Sequence, residues 1–210
     1  MATVEGIDVS SWQGKYDWEP WRGRIGFGMA KATEGTGLTD PYFGDNWDAM
    51  WWLRPDHRLP RFAYHFFHAA ENPEEQAAHL VSAVRSHGLL PGDNFTLDLE
   101  ETISGSGEND GIPAARCAPL AVRCLRKIND LAPGHRVLPY LNPDWAHRGG
   151  SAGMASWFLW LADYGISKPQ VPEPWSGWTF WQDSSSPLDT DVYNGDDASL
   201  LAFTRMPDRR

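Results

Sequence analysis

Cysteine is nearly absent, with only Cys117 and Cys124 in 210 residues. The two lie in one segment where Leu120, Cys124, Ile128 and Leu131 recur at helical spacing. Seven residues of helix rise about 10.5 Å, beyond the reach of a disulfide, so free core thiols are expected. No apolar run approaches the length of a membrane span. Met1 to Gly6 contains Glu5 and leads into no long apolar stretch, unlike a signal peptide. The sequence therefore predicts a chain made in a reducing cytoplasm, without membrane insertion. No run of Lys or Arg occurs, and a formal net charge of -10 leaves no basic patch for phosphates, so no nucleic-acid partner is expected.

Several reactive signatures are missing as well. His65 and His68 fall on opposite faces of an extended segment, no His-Glu-x-x-His occurs, and the two thiols lack a second pair. Gly26 and Gly28 have no third glycine and no strand-to-helix setting for a dinucleotide. No phosphate loop and no Gly-x-Ser-x-Gly elbow is found. Neither a metal nor a cofactor is expected.

What the chain does have is indole: 12 Trp, alongside 16 Pro and 20 Gly. With 41% hydrophobic and 22% charged residues, the composition fits one globular domain over residues 1–210, with 203–210 as a frayed tail. Tryptophan offers a flat apolar face and one N–H donor. A surplus beyond core needs suggests a groove for sugar rings or another flat ligand.

The most informative stretch is Phe95-Thr96-Leu97-Asp98-Leu99-Glu100-Glu101, which puts acids where a buried strand belongs. Pro91, Gly92 and Asn94 precede it, and Gly105-Ser106-Gly107 follows. Alternation along a strand sends Asp98 and Glu100 to one face and Leu97 and Leu99 to the other. The rise between the two acids is about 6.6 Å, close enough for one charge to push the other pKa upward. The same pattern also suits an edge strand with a solvated acidic face.

Periodicity predicts strands at 4–9, 25–32, 61–67, 95–101, 136–141, 156–163, 178–182 and 188–193, with helices at 42–53, 73–87 and 114–131. Helices are interleaved with the first five strands, and three bare strands follow. That order predicts an α/β fold, an irregular, flattened TIM-like barrel of five β/α units followed by three strands. Its active side is expected at the C-terminal strand ends. Asp8, Lys31, Tyr64, Asp98, Glu100, Tyr140, Trp160 and Gln182 all fall at or near such ends. Residues 104–110 read as the most flexible stretch.

Six motifs in register resemble the glycoside hydrolase family 25 lysozymes, the Chalaropsis-type muramidases. They are Gly6-Ile7-Asp8-Val9-Ser10 with Trp12-Gln13-Gly14, Lys31-Ala32-Thr33-Glu34-Gly35, Ala63-Tyr64-His65-Phe66-Phe67, Leu97-Asp98-Leu99-Glu100, Trp160-Leu161-Ala162-Asp163-Tyr164 and Trp178-Thr179-Phe180-Trp181-Gln182. The resemblance spans about residues 4–203. It implies cleavage of the β-1,4 bond between N-acetylmuramic acid and N-acetylglucosamine in bacterial peptidoglycan. By motif, Glu100 takes the general-acid position, and Asp98 and Asp8 match other active-site carboxylates. The last aspartate of the family aligns with Asp189, and Asp191 is a departure on the same face, which leaves the assignment open between the two. Lys31, Tyr64, Phe66, Tyr140, Trp160, Gln182 and Asp191 are the expected substrate contacts. The 184–187 loop looks shorter than the family norm. A member without a signal peptide resembles a phage endolysin, acting on the wall as a monomer after release from the host cytoplasm.

The residues support such chemistry independently of the resemblance. An oxocarbenium-like transition state needs one protonated carboxyl at the leaving oxygen and negative charge near the ring. The about 6.6 Å strand spacing lies between the separations of retaining and inverting enzymes, so it does not choose. The expected route is retention, with Asp98 assisting the substrate's own acetamido group. Two other readings compete: a non-catalytic glycan-binding module on the same fold, and a chitinase-like hydrolase. The second is weakened because Asn94-Phe95-Thr96-Leu97 lacks an extra upstream aspartate.

Overall fold

Alternating side chains along the strands divide the core in two. In the computed structural model, which describes residues 2–54 and 58–206, β1 (Val4–Val9) points Ile7 and Val9 outward and Gly6 and Asp8 inward. The chain continues through a single 3-10 turn (Glu19–Trp21), β2 (Phe27–Glu34), β3 (Leu38–Thr39) and α1 (Phe43–Ala49). Next come β4 (Arg61–Phe66), α2 (Pro73–Ser86), β5 (Asp93–Asp98), the hairpin β6 (Glu108–Asn109) and β7 (Ile112–Pro113), and α3 (Ala114–Leu131). The last elements are β8 (Val137–Leu141), a short α4 (Pro143–Trp145), β9 (Trp160–Ala162), β10 (Phe180–Ser185), β11 (Asp189–Tyr193) and α5 (Asp197–Phe203).

Parallel pairing runs from β1 through β2, β4, β5, β8, β9 and β10. The antiparallel β11 fits between β10 and β1 and closes an eight-stranded barrel, with β3 added beside β2. One core layer lies between barrel and helices and contains Ile7, Ala63, Phe95, Leu97, Leu125 and Ile128. The other fills the barrel with Phe27, Phe62, Phe180 and Tyr193 in edge-on or tilted contact, beneath Tyr64, Tyr140 and Trp160. Gly6 is dictated by that filling: a Cβ there would lie 2.3 Å from the Phe27 ring. Cys117 and Cys124 are free and buried on α3.

The fold expectation holds, but several boundaries move. The helical part of the first unit is one 3-10 turn, and the helix expected at 42–53 is α1 followed by another such turn (Met50–Trp52). The strand expected at 156–163 shrinks to Trp160–Ala162, because Trp157 packs against the outer layer and Phe158 lies edge-on to Phe203. β5 ends at Asp98, although the Leu99 N–H still donates to Tyr140 O at 2.9 Å and keeps the chain extended. The stretch read as flexible, 104–110, is tied down. Buried Asn109 donates to Phe67 O (2.8 Å) and Glu100 O (2.9 Å) and accepts from Ala69 N (2.6 Å). α5 was not expected and takes in Phe203, while residues 207–210 of the expected tail lie outside the described residues.

Candidate functional site

Parallel strands bring their C-terminal ends to one rim, and the antiparallel β11 delivers its first residue there too, pairing Asp189 with Asp8. A pocket of about 200 Å³ opens at this rim. Asp8, Asp98, Glu100 and Asp189 line it, with Lys31 as the cation among the described lining residues. Tyr64, Phe66, Tyr140, Trp160 and Gln182 complete the walls. Asp191 lies a layer deeper: it is buried, off the pocket wall, and accepts the Trp160 indole N–H at 2.7 Å. A larger cavity, about 630 Å³, lies at the opposite mouth, lined by two acids, Glu5 and Asp197, the second ion-paired with Arg54 at 2.6 Å. It has no comparable cluster of acids.

A β-bulge shapes the cationic wall. Lys31 pairs with Tyr64, but the register then slips, so Thr33 faces His65 and Glu34 faces Phe66. Simple alternation would put Lys31 and Glu34 on opposite faces; the extra residue puts them on the same one. Their ion pair measures 2.6 Å, and the Lys31 ammonium sits 5.0 Å from the centre of the Phe66 ring.

Gln182 is oriented by two phenols. Its carbonyl oxygen accepts from Tyr140 at 2.7 Å and from Tyr164, which turns its amide nitrogen toward Asp8 at 2.6 Å. The Asp8 carboxyl is thus held in place from below.

Electrostatics follow from crowding acids in a dry rim. Burial, reinforced by Asp189, pushes Asp8 up to about 8, against the pull of Gln182. Burial and the neighbouring Glu100 raise Asp98 well above the carboxylate range, against Lys31. Burial also raises Glu100 and Asp189, and burial with Asp8 raises Asp191. Such groups titrate as one unit, and near neutrality the cluster retains protons. One Asp98 oxygen, Oδ1, is buried without a hydrogen-bond partner among the described residues. An acceptor left so costs about 1 to 3 kcal/mol unless a ligand satisfies it.

The aromatic walls differ from expectation. Trp160 is 2% exposed and serves as a buried support, whereas Trp12 lines the same pocket at 92% exposure. Its indole is free while its backbone is fixed. Trp12 N donates to Ser10 Oγ at 3.2 Å, Ser10 N to Gln13 Oε1 at 2.9 Å, and Ser11 N to Asp40 Oδ2 at 2.8 Å. Sequence reasoning also missed Ser10 and Tyr164. The Ser10-Ser11-Trp12-Gln13-Gly14 turn was the available signal, since it follows directly on Asp8.

Known proteins share this fold. Lysozyme M1 of Streptomyces globisporus is 33% identical over 224 aligned positions, covering 95% of this chain and 71% of that one. The N,O-diacetylmuramidase of Chalaropsis sp is 28% identical, covering 88% and 89%. A bacterial lysozyme from Streptomyces coelicolor superposes with a TM-score of 0.82 at 27% identity, covering 98% of both chains. The match to the family model of the family 25 glycosyl hydrolases runs over residues 7–192, nearly the whole barrel, and the chain is therefore a glycosidase belonging to glycosyl hydrolase family 25.

Proposed function

We propose that this chain is a muramidase that cuts the β-1,4 bond between N-acetylmuramic acid and N-acetylglucosamine in peptidoglycan, with Glu100 as general acid. The observation that carries the reading is the pair Asp98 and Glu100 side by side in one pocket, both raised, with one Asp98 oxygen unpartnered. Glu100, whose pKa burial raises against the pull of Lys31, gives its proton to the glycosidic oxygen as the bond to C1 breaks. The substrate's acetamido carbonyl oxygen closes on C1, and Asp98 accepts the amide N–H of the cationic ring so formed. Glu100, now a carboxylate, takes a proton from water as that water attacks C1. The acetamido group reopens, and the product keeps the starting configuration. Asp8, pushed up to about 8, and Asp189 position the sugar with Lys31 and share the negative charge that the cluster keeps. Likeness to enzymes named lysozyme and muramidase supports the substrate class.

Digestion of purified peptidoglycan tests this. Muramic acid is expected at the new reducing ends by mass spectrometry, with the β-anomer first by NMR and little turnover of strands whose muramic acid lacks its N-acetyl group. N-acetylglucosamine ends reject the bond assignment. Initial inversion, or full activity on deacetylated strands, rejects the assistance by Asp98.

The aromatic walls give a second test. Trp12→Ala should raise KM on long glycan strands by up to about tenfold, the equivalent of 0.5 to 1.5 kcal/mol of stacking, with kcat and thermal stability nearly unchanged. Trp160→Ala should do the reverse and lower the melting temperature first. Equal loss of stability in both variants would assign Trp12 to packing.

A further inference from the structure

Beside the pocket, both ring nitrogens of His68 face carboxylates. Nδ1 is 2.9 Å from Asp110 Oδ1, and Nε2 is 3.1 Å from Glu34 Oε1. A neutral imidazole has one N–H, so one contact would then set a lone pair against a negative oxygen. Only the imidazolium satisfies both. Glu34 in turn passes its other oxygen to Lys31 at 2.6 Å, and Lys31 lines the pocket with Asp98 and Glu100. The result is a row of alternating charge from Asp110 to the reacting acids.

The Asp110 end is built rather than incidental. Asp110 has φ of 54°, in the left-handed region that costs an ordinary residue energy. Its N–H is held by Thr102 Oγ1 at 2.8 Å, and its carboxylate also accepts the Ala70 N–H at 3.2 Å. Next to it, Asn109 holds the backbone carbonyl of Glu100 itself. The 102–113 segment therefore touches the pocket twice, once through Glu100's backbone and once through the charge row.

We propose that His68 is a positioning residue: as an imidazolium it clamps the 102–113 segment to β2 and keeps the Lys31–Glu34 pair aligned with Asp98 and Glu100, and loss of its proton closes the alkaline side of the activity. Deprotonation removes the charge between Glu34 and Asp110. The segment then loses one tie, and Glu34 pulls on Lys31 alone. The hydrogen bonds to Glu34 and Asp110 hold the His68 pKa above its ordinary value despite partial burial. Other charged groups nearby are accounted for. Glu71 caps the Thr36 N–H, His79 bonds Gly35 O at 3.0 Å, and buried His65, pushed down to about 4, is neutral on Thr33 and Gln76.

The inference rests on the muramidase reading, so the test has one arm that needs no turnover. The His68 ring is titrated by NMR in the intact protein, and kcat and KM are followed against pH on peptidoglycan. In the parent, His68 is expected to titrate above 6.5 and the alkaline limb of kcat to coincide with it. Asp110→Asn keeps the shape and removes one charge, so both the His68 pKa and the limb should move down together by roughly one unit or more. His68→Gln should lower kcat about tenfold, short of the roughly 10²-fold that a 1 Å misplacement costs, with KM held and the limb relocated. A limb that stays put while the His68 pKa moves, or a His68 pKa at or below 6.5 in the parent, overturns the clamp. If the parent cuts no peptidoglycan, the muramidase reading fails, while the ring titration still decides whether His68 is the held imidazolium.

Discussion

Glu100→Gln is expected to fold as the parent does and to lose hydrolysis by at least about 10²- to 10⁴-fold, the usual contribution of a general acid. The amide copies the acid in size but has no proton to give to the leaving oxygen. Position should survive the change, because the Glu100 backbone is fixed through Asn109 and not through its side chain. The variant should also ease its neighbour. Asp98 is raised partly by the Glu100 charge, so its pKa should fall toward the ordinary range once that charge is gone. Initial rates on peptidoglycan and a thermal melt measured on the same sample check this. Turnover near that of the parent in a folded variant would falsify the acid assignment.

How much of this site could be read from the sequence depends on which regularity places each residue. Asp98 and Glu100 were legible because alternation along an extended chain decides their face, and that survives the early end of β5. Asp8 and Asp189 were legible as motif residues, while their direct pairing needed the antiparallel direction of β11. The Lys31–Glu34 pair was beyond reach, since a one-residue bulge reverses what alternation predicts. Counting Trp residues pointed to a sugar groove but could not say which ring was bare. Trp160 lies inside the barrel because β9 is a short inner-facing strand, and Trp12 is exposed because its turn runs along the rim.

Loops were read least well. Glycine and serine made 104–110 look loose, yet one buried asparagine and the N–H groups that Glu101 accepts, Gly107 at 2.7 Å and Gly105, fix its path. Such cross-chain ties leave no periodic trace. The signal for α5 was present but short: Asp196 accepts the Ser199 N–H at 2.8 Å as an N-cap, and Leu200 and Phe203 share one face.

Breaking the ion pair at the opposite end of the barrel should do the reverse of Glu100→Gln: large loss of stability, little loss of chemistry. Arg61 and Asp93 begin adjacent strands in direct register, and both side chains are buried. The guanidinium makes a two-pronged contact, Nε to Oδ1 at 2.9 Å and Nη2 to Oδ2 at 2.8 Å, while Nη1 donates to Trp47 O at 2.8 Å. It also lies 4.0 Å from the centre of the Trp47 ring. Asp93 further accepts the Leu90 N–H at 2.8 Å, and Arg58 stands 3.8 Å away. Arg61→Met removes the fork but leaves the buried carboxylate, which should cost about 3 to 5 kcal/mol. The double variant Arg61→Met with Asp93→Leu should recover much of that loss, because neither charge then has to be held out of water. Denaturant titration of the parent, both single variants and the double variant gives the coupling. Initial rates well below the melting temperature should stay close to the parent, since the reacting acids stand on the other rim. A single-variant loss under about 1 kcal/mol would mean that the barrel floor does not depend on this pair, and that solvent or Arg58 takes over the Asp93 charge at small cost.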